Sequence, residues 1–234
     1  MTARATRSWS GFTAAFCPLA TTRSNWQRTA RSWVTINDRL GALGFLAHPA
    51  LADRPGGSSG AYGLMDQQAA LRWVHCNIRA FGGDPRKVAI AGESAGGLSV
   101  LTHVISPRVR GLFSRAIVQS GAYSLTQTPL VEAETAGEAF AVKVGCASQT
   151  AACLRGLPVS VVLANDNPYG YSLGVVDDEV LEQSIGTAVA SGRFNRVPII
   201  NGTNHDEARL FAAFSELQGA PVTEANYQAM IGWA

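Results

Sequence analysis

The chain has 234 residues, of which 47% are hydrophobic, so it is long enough and apolar enough to fold around a sizeable core, and a wholly disordered protein is excluded. Only 15% of the residues are charged and the formal net charge is +2, so the composition gives no general attraction to nucleic acid or acidic partners. No apolar run approaches the ~20 residues of a membrane-spanning helix.

The basic residues are concentrated at the amino terminus. Six Arg and one acidic residue lie within residues 1–40, and no acidic residue occurs before Ser32. Such an Arg-, Ser- and Thr-rich composition is typical of an organellar transit peptide. A degenerate amino-terminal segment is favoured over a transit peptide, because the chain passes at Trp33 into a strand-like segment without a linker. We expect residues 1–32 to be degenerate or poorly ordered and a domain to occupy residues 33–234.

Short β-branched runs alternate with helical stretches along this domain. The pattern predicts, in chain order, a strand at 33–37, a helix at 64–78, a strand at 87–91, a helix at 95–105, a strand at 115–119, a helix at 132–144 and a strand at 197–200. Nearly continuous apolar strands that alternate with helices indicate an α/β fold with a mostly parallel sheet and helices on both faces. The Gly- and Ser-rich segment 55–60 is interpreted as a surface loop.

The pentapeptide GESAG, residues 92–96, lies between a predicted strand and a predicted helix. A sharp strand-to-helix turn lifts the side chain of its central residue, Ser94, clear of the sheet, and the two glycines allow neighbouring backbone to pass closely. The backbone N–H of Ala95, at the start of the helix, would then stabilise a developing negative charge. The simpler interpretation is that Ser94 only caps the helix.

The segment FGGDPRKVAIAGESAGG, which contains this turn, resembles the nucleophile region of the type-B carboxylesterase/cholinesterase family of α/β-hydrolases. VTINDRLGALGFLAHP and GAYGLMDQQAALRWVHCNI resemble two blocks that precede it in the family, and FSRAIVQSGA and GRFNRVPIINGTNHDEARLF resemble two that follow it. The resemblance implies a serine hydrolase that cleaves small-molecule carboxylic esters through an acyl-enzyme on Ser94, with no metal or organic cofactor.

The same resemblance assigns further site residues. It implies that Glu207 is the acid of the catalytic triad and that the hydroxyl of Ser120 supports it. It also implies an oxyanion hole made by Ala95 and by Gly11, the one glycine that corresponds to the family's HGGGF run. From the residues alone, Asp206 stays an alternative to Glu207, and both are compatible with solvated surface acids.

The chain has four histidines: His48, His75, His103 and His205. We interpret all four as surface or packing residues, because the family's catalytic histidine lies well downstream of the acid, beyond Ala234. We therefore expect a partial α/β-hydrolase domain whose esterase activity is impaired. The alternatives are a non-catalytic, cholinesterase-like binding module and an inactive esterase fragment.

Cys146 and Cys153 are seven positions apart. Their spacing alone is as compatible with two free, buried thiols as with a disulfide. The family has a disulfide at this position, so the resemblance implies that the two cysteines are bonded, which favours an extracytoplasmic location.

Overall fold

The computed structural model describes residues 15–18, 32, 34–52, 57–122, 124–167, 174–177, 179–207 and 209–226. The strands are β1 (Ala15–Pro18), β2 (Val34–Thr35), β3 (Val88–Glu93), β4 (Arg115–Gln119), β5 (Thr128–Pro129), β6 (Val175–Val176) and β7 (Ile199–Gly202). The helices are α1 (Gly41–Phe45), α2 (Tyr62–Asn77), α3 (Ala95–Ile105), α4 (Leu130–Lys143), α5 (Ala151–Arg155), α6 (Val159–Asn165), α7 (Ile185–Ser191) and α8 (Arg209–Leu217).

A five-stranded sheet with the order β2-β1-β3-β4-β7 forms the centre of the fold. β3, β4 and β7 are parallel neighbours, whereas β1 runs antiparallel to both β2 and β3. Four of the five strands therefore point the same way, and the predicted mostly parallel sheet is confirmed. β1 lies within residues 1–32, a segment of which the structure otherwise describes only Ser32.

The main hydrophobic core lies between the sheet and the helices α2 and α3. It is built from apolar side chains that α2, β3, α3, β4 and the segment after α3 bury together: Leu71, Val74, Ile78, Val88, Ile90, Val100, Val104, Val109, Phe113, Ala116 and Val118. Each fully buried aliphatic side chain of this kind contributes about 1.5–3 kcal/mol. The spacing of the α2 residues, three and four apart, places them on one face of the helix.

The opposite face of the sheet is less covered near β7. The register pairs Ala91 with Ile117 and Ile117 with Ile200, so the three side chains share that face. Ile200 is 69% exposed, whereas Ile117 is half-buried. The edge formed by β7 is thus apolar and accessible to solvent.

The interpretation of 55–60 as a surface loop is wrong for its described part, residues 57–60. Ser59 is fully buried; its hydroxyl accepts the backbone N–H of His48 at 3.0 Å and donates to Oε1 of Glu134 at 3.2 Å. The hydroxyl of Ser58 donates to a carboxylate oxygen of Asp177. Partners on two distant segments satisfy these polar groups, so the segment can be buried without cost to its hydrogen bonding.

Cys146 and Cys153 form a disulfide, as the resemblance implied. Its loop carries Gln149, whose Oε1 lies 2.8 Å from Nε2 of the buried His48. The disulfide-closed loop thereby attaches to the segment after α1. Within the part of the chain that the structure describes, no helix is both long and apolar enough to span a bilayer.

Candidate active site

Ser94 occupies the single position between the end of β3 and the start of α3. Its backbone is strained, with φ 54° and ψ −120°, a conformation that side chains rarely adopt. Its N–H donates to the carbonyl of Gln119 on β4 at 2.9 Å, which holds the turn against the neighbouring strand. The side chain makes no capping hydrogen bond. Such strain, of order 1–3 kcal/mol, persists only where the surrounding structure enforces it.

Close backbone contacts enforce this turn. A Cβ at Gly92 would lie 2.2 Å from the carbonyl carbon and oxygen of Gly96, so the predicted need for glycine at 92 holds. A second contact joins α3 to the end of β4, because a Cβ at Gly121 would lie 2.4 Å from the carbonyl carbon of Gly97. This pair was not predicted, although Gly97 directly follows GESAG and Gly121 is the last residue of QSG. The first turn of α3 therefore rests directly on the ends of β3 and β4.

The sheet register brings the ends of β3, β4 and β7 into line. Glu93 pairs with Gln119, and Gln119 pairs with Gly202. The residues that follow, Ser94 and Ser120, are therefore neighbours at the carboxyl edge of the sheet, and the segment after Gly202 lies one strand further. With neighbouring strands about 4.8 Å apart, the end of β7 lies roughly 10 Å from Ser94.

Ser120 is the second serine at this edge with a left-handed backbone. Its φ is 51°, and its N–H donates to the carbonyl of Gly202 at 2.7 Å. This hydrogen bond continues the pairing of β4 and β7 by one residue and fixes where β7 ends relative to β4. The half-buried Ser120 side chain lies beside the turn that follows β7, because its Oγ accepts from Nδ2 of Asn204 at 3.4 Å.

Glu207 lies in that turn, and the structure brings it together with Ser120. Its Oε1 accepts the backbone N–H of Asn204 at 2.8 Å, and its Oε2 accepts from Asn204 Nδ2 at 3.4 Å. Hydrogen bonds from the Ser120 hydroxyl and from Asn204 lower the pKa of the Glu207 carboxyl below its ordinary value. Sequence reasoning missed Asn204, because its role depends on the conformation of the turn.

The alternative acid, Asp206, faces different partners. Its Oδ1 lies 3.1 Å from Nδ1 of His205 and accepts from Nε of Arg209 at 3.1 Å. The side chains of His205 and Arg209 are both largely exposed. Of the two adjacent acids, Glu207 is therefore the one that contacts the predicted serine at the carboxyl edge of the sheet.

Two of the histidines are buried in the packing of the fold. His48 is 1% exposed; its Nδ1 accepts the backbone N–H of Ala50 at 3.0 Å and its Nε2 lies against Gln149. His103 is fully buried, with Nε2 2.8 Å from Oε1 of Gln67, and burial lowers its pKa to about 4. It lies nine positions beyond Ser94 along α3, a rise of about 13 Å.

The other two histidines lie on the surface. His75 is exposed on α2, and the side chain of His205 is 95% exposed beside Asp206. None of the hydrogen bonds described for the four histidines reaches Ser94 or Glu207. Their surroundings agree with the interpretation of all four as surface or packing residues.

The structure describes only one of the two residues that were predicted to form the oxyanion hole. Ala95 is the first residue of α3, so its N–H lies at the amino end of the helix beside Ser94. Gly11 lies outside the described residues. Among the residues that are described, no group of His, Cys, Asp or Glu has the arrangement of a metal site.

A mostly parallel sheet with a strained serine between a strand and the helix that follows is the defining arrangement of the α/β-hydrolase fold. The model of the carboxylesterase family matches residues 33–230. The chain belongs to the carboxylesterase family, and the predicted resemblance and fold class are confirmed.

Similar proteins include two curated enzymes. The chain is 38% identical over 185 residues to a fumonisin B1 esterase of Sphingopyxis macrogoltabida, covering 76% of this chain and 34% of that protein. It is 40% identical over 178 residues to an acylcarnitine hydrolase of Mus musculus, covering 74% of this chain and 31% of that protein. The chain thus spans about a third of the length of these relatives.

Solved structures of the carboxylesterase EST55 of Geobacillus stearothermophilus have the same fold. The structures at pH 6.2 and pH 6.8 match with TM-scores of 0.76 and 0.74, both at 32% sequence identity. The match covers 87% and 84% of this chain, respectively, and 43% of the carboxylesterase chain in both cases.

Proposed function

We propose that the chain, through its domain at residues 33–234, carries the nucleophile and the acid of a serine hydrolase that cleaves carboxylic esters. The observation that carries this proposal is the backbone of Ser94, which is held at φ 54° between β3 and α3 with its side chain free of any capping bond. A strained serine at the carboxyl edge of a sheet is the arrangement that exposes a hydroxyl to a substrate carbonyl.

The reaction has two steps. The hydroxyl oxygen of Ser94 attacks the acyl carbon of the ester, and its proton passes to a histidine that acts as general base. The N–H of Ala95 stabilises the negative oxygen of the tetrahedral intermediate. The histidine then gives the proton to the departing alcohol and leaves an acyl-enzyme. Water, deprotonated by the same base, releases the acid and restores Ser94.

Glu207 supplies the acid of this triad. The gap of roughly 10 Å between the ends of β3 and β7 accommodates one imidazole that accepts from Ser94 and donates to Glu207. Hydrogen bonding keeps Glu207 ionised at neutral pH, since its pKa is lowered below the ordinary value. An ionised carboxylate orients the histidine and stabilises the imidazolium that forms in the first step.

The relatives support the ester as the substrate class. Two similar proteins are described as a fumonisin B1 esterase and an acylcarnitine hydrolase, and the similar structures are of a carboxylesterase. The proposed steps need only side chains, backbone N–H groups and water, so they call for no metal or organic cofactor.

A fluorophosphonate probe and a short-chain p-nitrophenyl ester test the proposal. The purified chain, Ser94→Ala and Ser124→Ala are compared; the hydroxyl of Ser124 donates to the carbonyl of Thr126, so this variant controls for loss of a serine outside the site. We expect labelling that Ser94→Ala loses and Ser124→Ala retains. Because none of the hydrogen bonds described for the four histidines reaches Ser94, we expect ester turnover to stay near background in all three proteins. A triad that lacks its base loses about 10⁶ in turnover.

No labelling of any of the three proteins would contradict the proposal. That result would favour the non-catalytic, cholinesterase-like binding module instead. Labelling that survives in Ser94→Ala would assign the nucleophile to another residue.

A further inference from the structure

Of the residues that the structure describes, Asn204 makes the most hydrogen bonds with the proposed triad acid. Its backbone N–H donates to Oε1 of Glu207 at 2.8 Å, and its side-chain Nδ2 lies 3.4 Å from Oε2. The same Nδ2 lies 3.4 Å from the hydroxyl oxygen of Ser120, at the end of the neighbouring strand β4. One residue thus touches both oxygens of the carboxylate and the serine beside it.

This contact matters because Glu207 is an exposed side chain on a turn. A glutamate has three rotatable side-chain bonds and samples many orientations unless partners hold it. Donors on both oxygens fix the plane of the carboxylate, and Nδ2 of Asn204 also lies 3.4 Å from Oγ of Ser120, whose hydroxyl hydrogen-bonds to Glu207 as well. The orientation of that plane decides where a histidine can donate its N–H.

We propose that Asn204 is a positioning residue that holds the carboxylate of Glu207 in the orientation needed to receive the catalytic histidine. This inference rests on the proposed function, in which Glu207 is the triad acid. Its side-chain amide acts through Glu207 and Ser120 and does not touch the reacting atoms.

A purely structural role is the competing explanation. A glutamate that accepts the backbone N–H three residues before it forms half of a capping box, which stabilises a turn. That bond uses the backbone of Asn204 and survives any side-chain substitution. Variants that change only the side chain therefore separate the two explanations.

The test compares Asn204→Ala, Asn204→Asp and Asn201→Ala with the unchanged chain. Asn204→Ala removes the side-chain donor, and Asn204→Asp replaces it with a like charge of the same shape. Asn201→Ala is the matched control, because Asn201 is an exposed asparagine on β7 for which no contact with Glu207 is described. Carbon-13 NMR of glutamate-labelled protein, assigned with Glu207→Gln, follows the titration of the Glu207 carboxyl.

We expect the Glu207 carboxyl to titrate at higher pH in Asn204→Ala than in the unchanged chain and at the highest pH in Asn204→Asp, since each step weakens the stabilisation of the ionised form. Asn201→Ala should titrate like the unchanged chain. Titration of Glu207 at an unchanged pH in both Asn204 variants would overturn the inference.

Kinetics supply a second readout. Where ester turnover depends on Ser94, Asn204→Ala should lower kcat about tenfold to a hundredfold with KM unchanged, as expected for a misplaced catalytic group. An unchanged kcat would also overturn the inference. Absence of Ser94-dependent labelling in the unchanged chain would contradict the proposed function, whereas the titration decides the side-chain contact of Asn204 independently.

Discussion

Replacing Gly92 by Ala tests whether backbone contact enforces the turn at Ser94. A Cβ at position 92 would lie 2.2 Å from the carbonyl carbon and oxygen of Gly96 and 2.7 Å from the nitrogen of Gly97. Ordinary van der Waals contact begins at 3.4 Å, so the closest atoms would have to separate by about 1.2 Å. The substitution therefore pushes β3 and α3 apart at the turn itself.

The expected loss of stability is large because all three obstructing atoms belong to the backbone. Inserting a methylene into a packed core costs about 1–3 kcal/mol even where side chains adjust, so we expect Gly92→Ala to lower the free energy of unfolding by at least about 3 kcal/mol. In a chain of this size that corresponds to a fall in Tm of about 6–12 °C. Urea unfolding followed by tryptophan fluorescence measures the change, and fluorophosphonate labelling reports on Ser94.

Gly202→Ala is the matched control. A Cβ there has no atom within 4 Å, and its backbone is not left-handed, so the substitution should be neutral or stabilise by up to about 1 kcal/mol. A free energy of unfolding for Gly92→Ala within 1 kcal/mol of that control would refute the argument that backbone contact enforces the turn.

Three further predictions concern interactions that stabilise the fold. Burial lowers the pKa of His103 from the ordinary 6.5 to about 4, so the unfolded chain binds the proton more tightly than the folded chain. The free energy of unfolding should therefore fall by roughly 3 kcal/mol in total as the pH decreases from 6.5 to 4. Urea unfolding should show this pH dependence in the unchanged chain and not in His103→Gln. Replacing Cys146 and Cys153 together by Ser should cost about 2–3 kcal/mol, because the unfolded chain regains the freedom of an open loop; a reductant should destabilise the unchanged chain to the same extent in urea unfolding. Nε and Nη2 of Arg39 each donate to a different oxygen of Asp66 at 2.8 Å, so Arg39→Lys, which cannot make both parallel bonds, should lower the unfolding free energy in urea by about 1 kcal/mol at this partly exposed pair.

Local pattern predicted most of the regular structure around the turn. The helix 95–105 and the strand 115–119 match α3 and β4, because strong apolar patterns coincide there with clear start and stop signals. The first predicted strand, 33–37, is reduced to β2, and β1 was not predicted. The pairing of these short strands depends on partners elsewhere in the chain and leaves little trace in a short segment.

The burial of residues 57–60 also could not be predicted from local sequence. Gly- and Ser-rich composition predicts a loop correctly, but its burial depends on Glu134 and Asp177, which lie 75 and 119 positions away from their partners. No local pattern reports such distant partners.

Some residues of the candidate site were predicted from local pattern, and others were not. Ser94 and Ala95 were predicted from a strand, a turn and a helix that are contiguous in sequence. Glu207 was chosen over Asp206 only through the resemblance, because two adjacent acids have the same local pattern. Asn204 was missed, since only the folded turn shows that both of its amide groups face Glu207.

The pairing of β4 with β7 also determines where the chain tolerates a change in length. Ser120 and the turn after Gly202 meet because Gln119 pairs with Gly202, whatever the length of the chain between them. An insertion in the exposed turn at 147–148, within that connection, would leave this pairing intact. One extra residue between Gly202 and Glu207 would displace the carboxylate by up to about 3.3 Å, more than the 2.8 Å of the hydrogen bond that it accepts from the backbone of Asn204. Gains and losses of residues in related chains are therefore expected between β4 and β7, and not in the few positions that join β7 to its acid.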